Sequence, residues 1–429
     1  MRVTQQAVMD DSPGGNAPGL SKRNASQVAA ASLVAALSNF VLMFVGTRTL
    51  SDAAGTEFLA FWSLLTGLFG VISGVQNETT RAVGAVAEGR MRGVRAVWPA
   101  LIVGGAVAVI VAALAPVIAH RVVPLSASTA VPALVVIAVA YAAYVTLVGS
   151  FGGRGWWSHY AGLLCAEVGL RVALVMLVFV AGASLGGYEL ACVGATAILL
   201  VYLVASPRAR QAIASFADAG LAAMVRKNAL AVVSTTSTAI LVTAYGAVLK
   251  GFAHGADPLL LGGLILAVSL TRAPIMIPLT SFTGVAIKLF LKRRDAPFAA
   301  IAKPFWALIA LGLVGGAAAW FVGPWFVGFF NPGYQIAGWV FAALTFSSAF
   351  MAVLTLLGTM VLALDAHVVY SAGWLVASAV ALVILVTPIG LALRVVLSLS
   401  VGPMVGALVM VGWLAVYARR SRPSENVSG

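Results

Sequence analysis

The chain has 429 residues, of which 61% are hydrophobic and only 9% carry a charge. Soluble globular domains are roughly 45–50% apolar and about 25% charged, and the mean hydropathy of +1.03 extends over the whole length. A water-soluble fold and a single membrane anchor are both excluded, so the composition predicts an all-α polytopic membrane protein. The formal net charge is +13, but the basic residues lie in short loops between apolar runs, which indicates membrane topology rather than nucleic-acid binding.

Twelve continuous apolar stretches of about 20 residues predict twelve membrane-spanning helices. In chain order they are centred near Leu37, Leu65, Val109, Val139, Leu174, Ile198, Ile240, Val268, Leu311, Phe350, Leu382 and Val409. The polar residues 1–25 are rich in Gly, Pro, Ser and Asn, and they predict a disordered cytoplasmic tail without a cleaved signal.

The basic residues also predict the orientation of the chain. Most of the 26 lysines and arginines fall in loops on the same side as both termini, and the loops of the other side hold only Arg48, Arg121 and Lys250. Because basic loops remain in the cytoplasm, we expect a multi-pass membrane protein with cytoplasmic N- and C-termini.

The chain repeats itself, since segments 145–150 and 172–178 are echoed by 354–359 and 380–386. Two six-helix bundles related by an axis along the membrane normal would follow from such a duplication, with a cleft between them that suits alternating access. The predicted parts are a cytoplasmic tail (1–25), an N-terminal bundle (26–205), a cytoplasmic amphipathic linker helix (206–228), a C-terminal bundle (229–418) and a second cytoplasmic tail (419–429).

Charges inside the hydrocarbon layer are the strongest functional signal, because each costs several kcal/mol and needs a partner or a wet cavity. Arg171 lies near the middle of the fifth predicted helix, and Glu167 precedes it by one turn, so the two can pair with each other or line a cavity. Arg272 lies near the middle of the eighth predicted helix without such a companion. It either bonds to backbone carbonyls or a distant acid, or lines a polar cavity.

Three further residues complete the candidate site. Arg394 and Arg48 lie near the outer ends of their helices and can either snorkel to the interface or serve the site. Asn39, in the first helix, can either bond to another helix or line the cavity. Three arginines deep in the membrane against Glu167 leave an excess of positive charge, which predicts an anionic ligand, and the arginine fork suits phosphate. The candidate substrate-binding residues are Arg272, Arg171, Glu167, Arg48, Arg394 and Asn39.

The sequence lacks the motifs of several common enzyme classes. The sequence has no H-E-x-x-H, C-x-x-C, Walker A or G-x-S-x-G element, and its four histidines are far apart. We therefore expect no enzymatic activity, no catalytic residue, no metal site and no cofactor. Energy for transport would come from an ion gradient, the membrane potential or consumption of the product.

The opening region carries a family resemblance. Segment 32–42 has Asn39-Phe40 in mid-helix, the turn Thr47–Ser51 follows, and Gly55 and Phe58 open the second helix. This region resembles the start of bacterial polysaccharide-biosynthesis proteins of the multidrug/oligosaccharidyl-lipid/polysaccharide (MOP) exporter superfamily. Many members have fourteen helices, whereas twelve are predicted here.

The resemblance implies a two-lobed, MATE-like flippase of the bacterial inner (plasma) membrane. Such a protein moves an undecaprenyl-pyrophosphate-linked oligosaccharide from the inner to the outer leaflet for cell-surface polysaccharide synthesis. It also implies membrane lipids and a polysaccharide polymerase or glycosyltransferases as partners, no nucleic acid, and Arg48, Arg171 and Arg272 in a central cavity.

Two other readings stay open. An ion-coupled small-molecule or drug exporter of the MATE or major-facilitator type would share the six-plus-six layout, although the major-facilitator Gly-x-x-x-Asp-Arg-x-Gly turn is missing between Arg81 and Arg95. A membrane glycosyltransferase or O-antigen ligase would need a longer, charged outer loop than this sequence provides.

Overall fold

The computed structural model describes residues 22–253, 255–292, 297–364 and 366–420. It describes the side chains of these ranges except at residues 22–25, 28, 29, 276–292, 297, 299, 300 and 420. The helices of the first half are α1 (Lys22–Thr49), α2 (Asp52–Ala87), α3 (Val97–Ala113), α4 (Ala115–Arg121), α5 (Ala127–Gly153), α6 (Trp157–Ala181), α7 (Leu185–Gly194), a 3₁₀ turn (Ala195–Ala197) and α8 (Ile198–Ala205). The remaining helices are α9 (Pro207–Ile213), α10 (Leu221–Val242), α11 (Tyr245–Phe252), α12 (Pro258–Lys292), α13 (Pro297–Phe330), α14 (Gly338–Ala363), α15 (His367–Leu385) and α16 (Leu391–Arg420).

The spans follow the apolar stretches of the sequence. Within the described ranges, ten helices are long and apolar enough to cross a membrane, and the bent pairs α3–α4 and α10–α11 bring the number up to twelve. The bends are 54° and 65°, respectively. The predicted all-α polytopic class is therefore confirmed. If each bent pair is counted as one span, α1 begins and α16 ends on the same side, here named the terminal side, and the other side is named the far side.

The two predicted tails fall mostly outside the described residues. Residues 1–21 of the first and 421–429 of the second are not described, whereas α1 already begins at Lys22 and α16 ends at Arg420. The boundaries of the two bundles remain a prediction.

The two halves repeat the same set of helix contacts. In the first half α5 packs against α2 and α3, and in the second half α14 packs against α12 and α13. Likewise α6 contacts α1 and α7, and α15 contacts α10 and α16. The correspondence runs helix by helix, as the internal duplication predicts.

The two seams between the halves differ. Along one seam α2 packs closely on α10, and a Cβ atom added at Gly74 would lie 2.5 Å from the carbonyl carbon of Ala231. Along the other seam, within the described ranges, α1 makes few contacts with α12. Near the far side α1 reaches α13, where the rings of Phe44 and Phe329 stack with centroids 5.0 Å apart. One seam is closed by small residues, and the other, here named the parted seam, has few contacts between α1 and α12 within the described ranges.

The apolar spacing of residues 206–228 predicts one surface helix between the halves, and this prediction is wrong. Residues 206–228 contain the short α9, an extended stretch and the beginning of α10. The extended stretch pairs with the α2–α3 loop through an antiparallel bridge between Arg95 and Phe216. Backbone hydrogen bonds on both sides of this bridge prevent a continuous helix, because they hold residues 215–219 extended.

Candidate functional site

A cavity of about 360 Å³ lies in the middle of the membrane between the two halves. It is lined by α1, α2, the break between α10 and α11, and α12, with these residues in its wall: Ala35, Ala36, Asn39, Met43, Trp62, Ser63, Thr66, Val242, Thr243, Tyr245, Gly246, Ile265, Val268, Ser269, Arg272 and Ala273. Because α1 and α12 form the parted seam, the cavity lies between helices of the two halves that make few contacts within the described ranges.

The bend between α10 and α11 creates a cluster of free carbonyl groups. The last carbonyls of a helix have no partner within it, and α10 ends at Val242, two residues before α11 turns away. Side chains satisfy these groups: Arg272 donates to the carbonyls of Leu241 and Val242, and Ser63 donates to that of Thr243 at 2.8 Å. The break therefore fixes the arginine at the cavity wall.

Among the residues that the structure describes, no carboxylate contacts Arg272. Its Nη1 atom lies 2.5 Å from the oxygen of Leu241 and 3.2 Å from that of Val242, and its Cζ atom lies 5.3 Å from the ring centroid of Tyr245. Its Nη2 atom is buried and has no hydrogen-bond partner among the described residues. Of the two sequence readings, carbonyl bonding and cavity lining, the structure shows both at once. The uncompensated charge and the unused donor can serve an anion.

Asn39 is the second predicted residue that reaches the cavity. Its Oδ1 atom accepts a hydrogen bond from Nε1 of Trp62, and both side chains are part of the wall. The bond joins α1 to α2, so Asn39 acts in helix packing as well as in the cavity surface.

Arg171 and Glu167 form a buried ion pair behind that wall. Nη2 of Arg171 donates to Glu167, and Nε lies 3.4 Å from the carbonyl oxygen of Cys192. The Cζ atom lies 5.3 Å from the Trp62 ring and 5.8 Å from the Phe69 ring. The i,i+4 spacing thus lets Arg171 and Glu167 neutralise each other's charge, and neither side chain lines the cavity.

Arg48 and Arg394 lie elsewhere, near the far side. Arg48 is exposed and donates to the carbonyl of Phe329 at 3.1 Å, which connects α1 to the end of α13. Arg394 donates to the carbonyl of Leu385 at 3.1 Å, the last residue of α15. Both use the free carbonyls of a helix end, so the central position expected for Arg48 is not observed, and neither arginine lines the cavity.

The charge of the cavity is positive. Among the lining residues that the structure describes, Arg272 is the one charged side chain, and none is acidic. At mid-membrane depth a positive charge is costly unless water or an anion approaches it. The arrangement suits binding of an anionic group.

A buried ionic cluster near the far side was missed by the sequence reasoning. Glu57 of α2 accepts a hydrogen bond from Lys250 of α11 at 3.1 Å, and Ser126 connects Glu57 to Glu189 of α7. Glu57 and Lys250 come from different halves of the chain. The one available signal was that both lie near helix ends on the same side of the membrane.

The chain has relatives over nearly its whole length. It is 31% identical over 402 residues to the uncharacterized protein Rv1510 of Mycobacterium tuberculosis, covering 92% of each chain. It is also 31% identical over 408 residues to the uncharacterized protein Rv3630 of the same species, covering 92% of this chain and 93% of the relative. No protein-family model matches the chain.

Solved transporter structures share its fold. An inward-facing multidrug resistance MATE family transporter of the MOP superfamily aligns with a TM-score of 0.69 at 15% identity, covering 91% of this chain and 96% of that one. A MOP superfamily transporter from Pyrococcus furiosus, described as having a binding pocket of reversed polarity that suggests a different function, aligns with a TM-score of 0.57 at 16% identity, covering 94% and 97%. The chain therefore belongs to the same family as the two Mycobacterium tuberculosis proteins, and its fold is that of the MOP superfamily of transporters.

Proposed function

We propose that this protein is an exporter that binds the anionic headgroup of a lipid-linked oligosaccharide at Arg272 and transfers it between leaflets by alternating access. The single observation behind this proposal is the position of Arg272, a buried guanidinium with one unused donor in a cavity whose described lining has no acid. A pyrophosphate offers several charged acceptors to such a donor.

The size of the cavity limits what it can hold. Ligand pockets commonly have volumes of about 300–1,000 Å³, and at about 360 Å³ this cavity is near the lower end. In the observed conformation its volume suits a pyrophosphate and the first sugar. A longer glycan would require the halves to move apart.

The parted seam supports a lipid as the substrate. The cavity is bounded by α1 and α12, which make few contacts within the described ranges. On α1 the side chains of Leu33, Leu37 and Val41 are exposed. An isoprenoid tail could therefore remain in the bilayer beside α1 while the headgroup occupies the cavity.

A drug exporter is the second candidate, and the solved relatives favour it. The MATE structure that aligns at a TM-score of 0.69 is a multidrug resistance transporter, and Trp62 and Tyr245 give this cavity aromatic walls that suit a flat organic substrate. The two candidates differ in the expected substrate charge, because the Arg272 guanidinium repels a cation.

A binding experiment separates the two candidates. Purified protein in nanodiscs would be titrated with undecaprenyl pyrophosphate, with undecaprenol, and with a lipophilic cation, using tryptophan fluorescence because Trp62 lies in the wall. Hydrogen bonds to charged groups contribute about 1.5–3 kcal/mol, so we expect Arg272→Gln to weaken binding of the pyrophosphate lipid roughly 10- to 150-fold. Undecaprenol should bind weakly to both proteins.

Arg394→Gln is the matched control, because Arg394 also caps a helix end but lies outside the cavity. Its affinity for the pyrophosphate lipid should equal that of the unmodified protein. Equal affinity in Arg272→Gln would reject the proposal, and tight binding of the cation by both proteins would favour the drug exporter.

A further inference from the structure

A second cavity, here named the terminal pocket, lies on the terminal side and has a volume of about 680 Å³. Its wall is formed by the end of α2, the α2–α3 loop, the α5–α6 loop, α9 and the extended stretch of the linker. It shares no residue with the wall of the central cavity. Its polar and aromatic lining residues are Arg92, Arg154, Trp156, Gln211, Ser215 and Phe216.

Two extended segments of backbone build one side of the terminal pocket. Gly93 of the α2–α3 loop donates to the carbonyl of Ala217 at 2.7 Å. Val94 donates to that of Ala219 at 3.0 Å. The segments approach this closely because residue 93 is a glycine, and a Cβ atom there would collide with the carbonyl oxygen of Ala219. These bonds fix the wall residues that both segments carry.

Aromatic rings position the two arginines of the wall. Cζ of Arg92 lies 6.0 Å from the ring centroid of Phe216, and Cζ of Arg154 lies 4.9 Å from that of Trp156. Nε of Arg154 also donates to Oγ of Ser215 at 2.9 Å. Its other N–H groups have no hydrogen-bond partner among the described residues. A guanidinium held over a ring keeps its in-plane donors available for a ligand.

The nearest carboxylate of the linker is already neutralised. Asp218 follows the wall residue Phe216 by two positions, and it forms ion pairs at 2.9, 3.5 and 3.8 Å with Arg81, Arg90 and Lys227, respectively. None of these residues belongs to the wall, and the exposed Glu88 lies outside it as well. The described wall contains no acid, so its two arginines give the pocket a positive charge.

Membrane topology accounts for basic loops on this side but not for this arrangement. The orientation of a span depends only on charge near its ends, and freely moving side chains would supply it. Here Arg92 and Arg154 come from two different loops, and each is held over an aromatic ring beside the same cavity. An arrangement that orders charged side chains beside a cavity is typical of a binding site.

The terminal pocket lies outside the hydrocarbon layer. The apolar part of α2 gives way to a polar turn that contains the ion pair of Glu78 and Arg81. From Arg81 the helix continues to Ala87, a distance of about 9 Å at the rise of an α-helix. The pocket is therefore at the depth of lipid headgroups and of water.

Phosphate is the anion that best matches the wall. Its several charged oxygens can accept hydrogen bonds from two guanidinium groups at once. A volume of about 680 Å³ is within the range of about 300–1,000 Å³ that organic ligands occupy, so the pocket holds more than a phosphate ion. Val83, Val86 and Ala87 provide an apolar surface for the remainder of the ligand. Phospholipid headgroups and water-soluble organic phosphates both have this chemistry.

We propose that the terminal pocket binds an organic phosphate from the terminal side, with the phosphate held jointly by Arg92 and Arg154. The organic part of the ligand lies against the end of α2. The bound phosphate connects the α2–α3 loop to the α5–α6 loop. This site is separate from Arg272 and does not depend on which substrate the transporter carries.

Protection of arginines from phenylglyoxal tests occupancy residue by residue. The protein would be labelled in phosphatidylcholine nanodiscs with and without glycerol 3-phosphate, and then in nanodiscs that also contain phosphatidylglycerol. Mass spectrometry measures the labelling of Arg92 and Arg154. At about ten times the Kd of glycerol 3-phosphate, labelling of both should slow roughly tenfold. Arg226, an exposed residue of α10 outside the wall, is the internal control and should be labelled equally in every condition.

The two ligands distinguish the sources of the phosphate. Protection by phosphatidylglycerol without any soluble phosphate supports the proposal and identifies a lipid headgroup. Protection by glycerol 3-phosphate alone supports it and identifies a water-soluble ligand. If neither ligand protects Arg92 and Arg154, or if Arg226 is protected to the same extent, the proposal is overturned.

Variants test whether the two arginines act together. Arg92 is exposed on a loop, so Arg92→Gln should leave the fold intact. The concentration of the protecting ligand that halves the labelling of Arg154 should rise at least about tenfold in this variant, because a charge-assisted hydrogen bond is lost. Arg154→Lys keeps the charge but loses the fork and the bond to Ser215, and it should weaken protection of Arg92.

Two control variants complete the experiment. Arg226→Gln removes one positive charge of the terminal side outside the wall, and its half-protecting concentration should equal that of the unmodified protein. Arg272→Gln should also leave protection unchanged, so failure of this proposal is distinguishable from failure of the anion-binding role of Arg272. Equal half-protecting concentrations in Arg92→Gln and the unmodified protein would overturn the joint binding.

Discussion

The guanidinium carbon of Arg171 lies 5.3 Å from the ring centroid of Trp62, whose indole is part of the cavity wall. The same indole is fixed by its hydrogen bond to Asn39. One aromatic side chain therefore separates the buried Arg171–Glu167 pair from the space that Arg272 faces.

Removing this side chain should expose the pair. We expect Trp62→Ala to make Arg171 reactive toward phenylglyoxal, which modifies accessible arginines, and to lower the free energy of unfolding by about 3 kcal/mol through the lost packing. Trp62→Phe keeps an aromatic ring over the guanidinium and should leave Arg171 protected. Mass spectrometry after labelling measures this, and equal labelling of Arg171 in all three proteins would contradict the geometry.

Breaking the ion pair itself should be costly. Glu167→Gln leaves Arg171 buried without its carboxylate, and removing one partner of a buried pair costs roughly 3–5 kcal/mol. We expect a lower thermal unfolding midpoint for the purified protein in detergent. A double variant with Glu167→Gln and Arg171→Gln should recover part of the loss, since no unpaired charge remains. A single variant as stable as the unmodified protein would show that the pair contributes little.

The closed seam between α2 and α10 depends on a glycine. A Cβ atom at Gly74 would lie 2.5 Å from the carbonyl carbon of Ala231, which is backbone and cannot rotate away. We expect Gly74→Ala to cost about 1–3 kcal/mol through overpacking. Gly105→Ala is the control, because a Cβ atom there meets nothing within 4 Å, and this variant should unfold at or above the temperature of the unmodified protein.

Asp218 should make stability depend on acid pH. Hydrogen bonds from Arg81, two of them at 2.9 Å, lower the pKa of this carboxyl below its ordinary value. A lowered pKa in the folded state means that Asp218 stabilises the protein above the unfolded-state value of about 3.9, and that this contribution is lost as the pH falls through the lower folded-state pKa.

We therefore expect unfolding temperatures measured from pH 7 down to pH 3 to fall less steeply for Asp218→Asn than for the unmodified protein. Asp218→Asn should also be less stable at pH 7. The exposed Glu88→Gln is the control and should keep the full acid dependence. Parallel curves for Asp218→Asn and the unmodified protein would contradict this account.

Local pattern predicted most of the architecture, because a span needs only a long apolar run. The twelve predicted centres all lie in the observed spans or bent pairs. The pairing of Glu167 with Arg171 was also one of two expected outcomes, since both residues lie on one face of the same helix.

The partners of Arg272 could not be predicted in the same way. They depend on α10 ending at Val242, and residues 241–244 contain neither proline nor glycine that would signal a break. The contact between Glu57 and Lys250 depends on how two halves close against each other across 193 sequence positions. Both features are products of tertiary packing and leave no local periodicity.

The unequal seams have a mechanical consequence. If the glycine-lined contact between α2 and α10 serves as a hinge, the two bundles can rotate about it while α2 and α10 stay in contact. The opposite edge, beside α1, then opens toward the bilayer. A substrate anchored by its tail could enter and leave laterally there, with the tail remaining in the hydrocarbon layer.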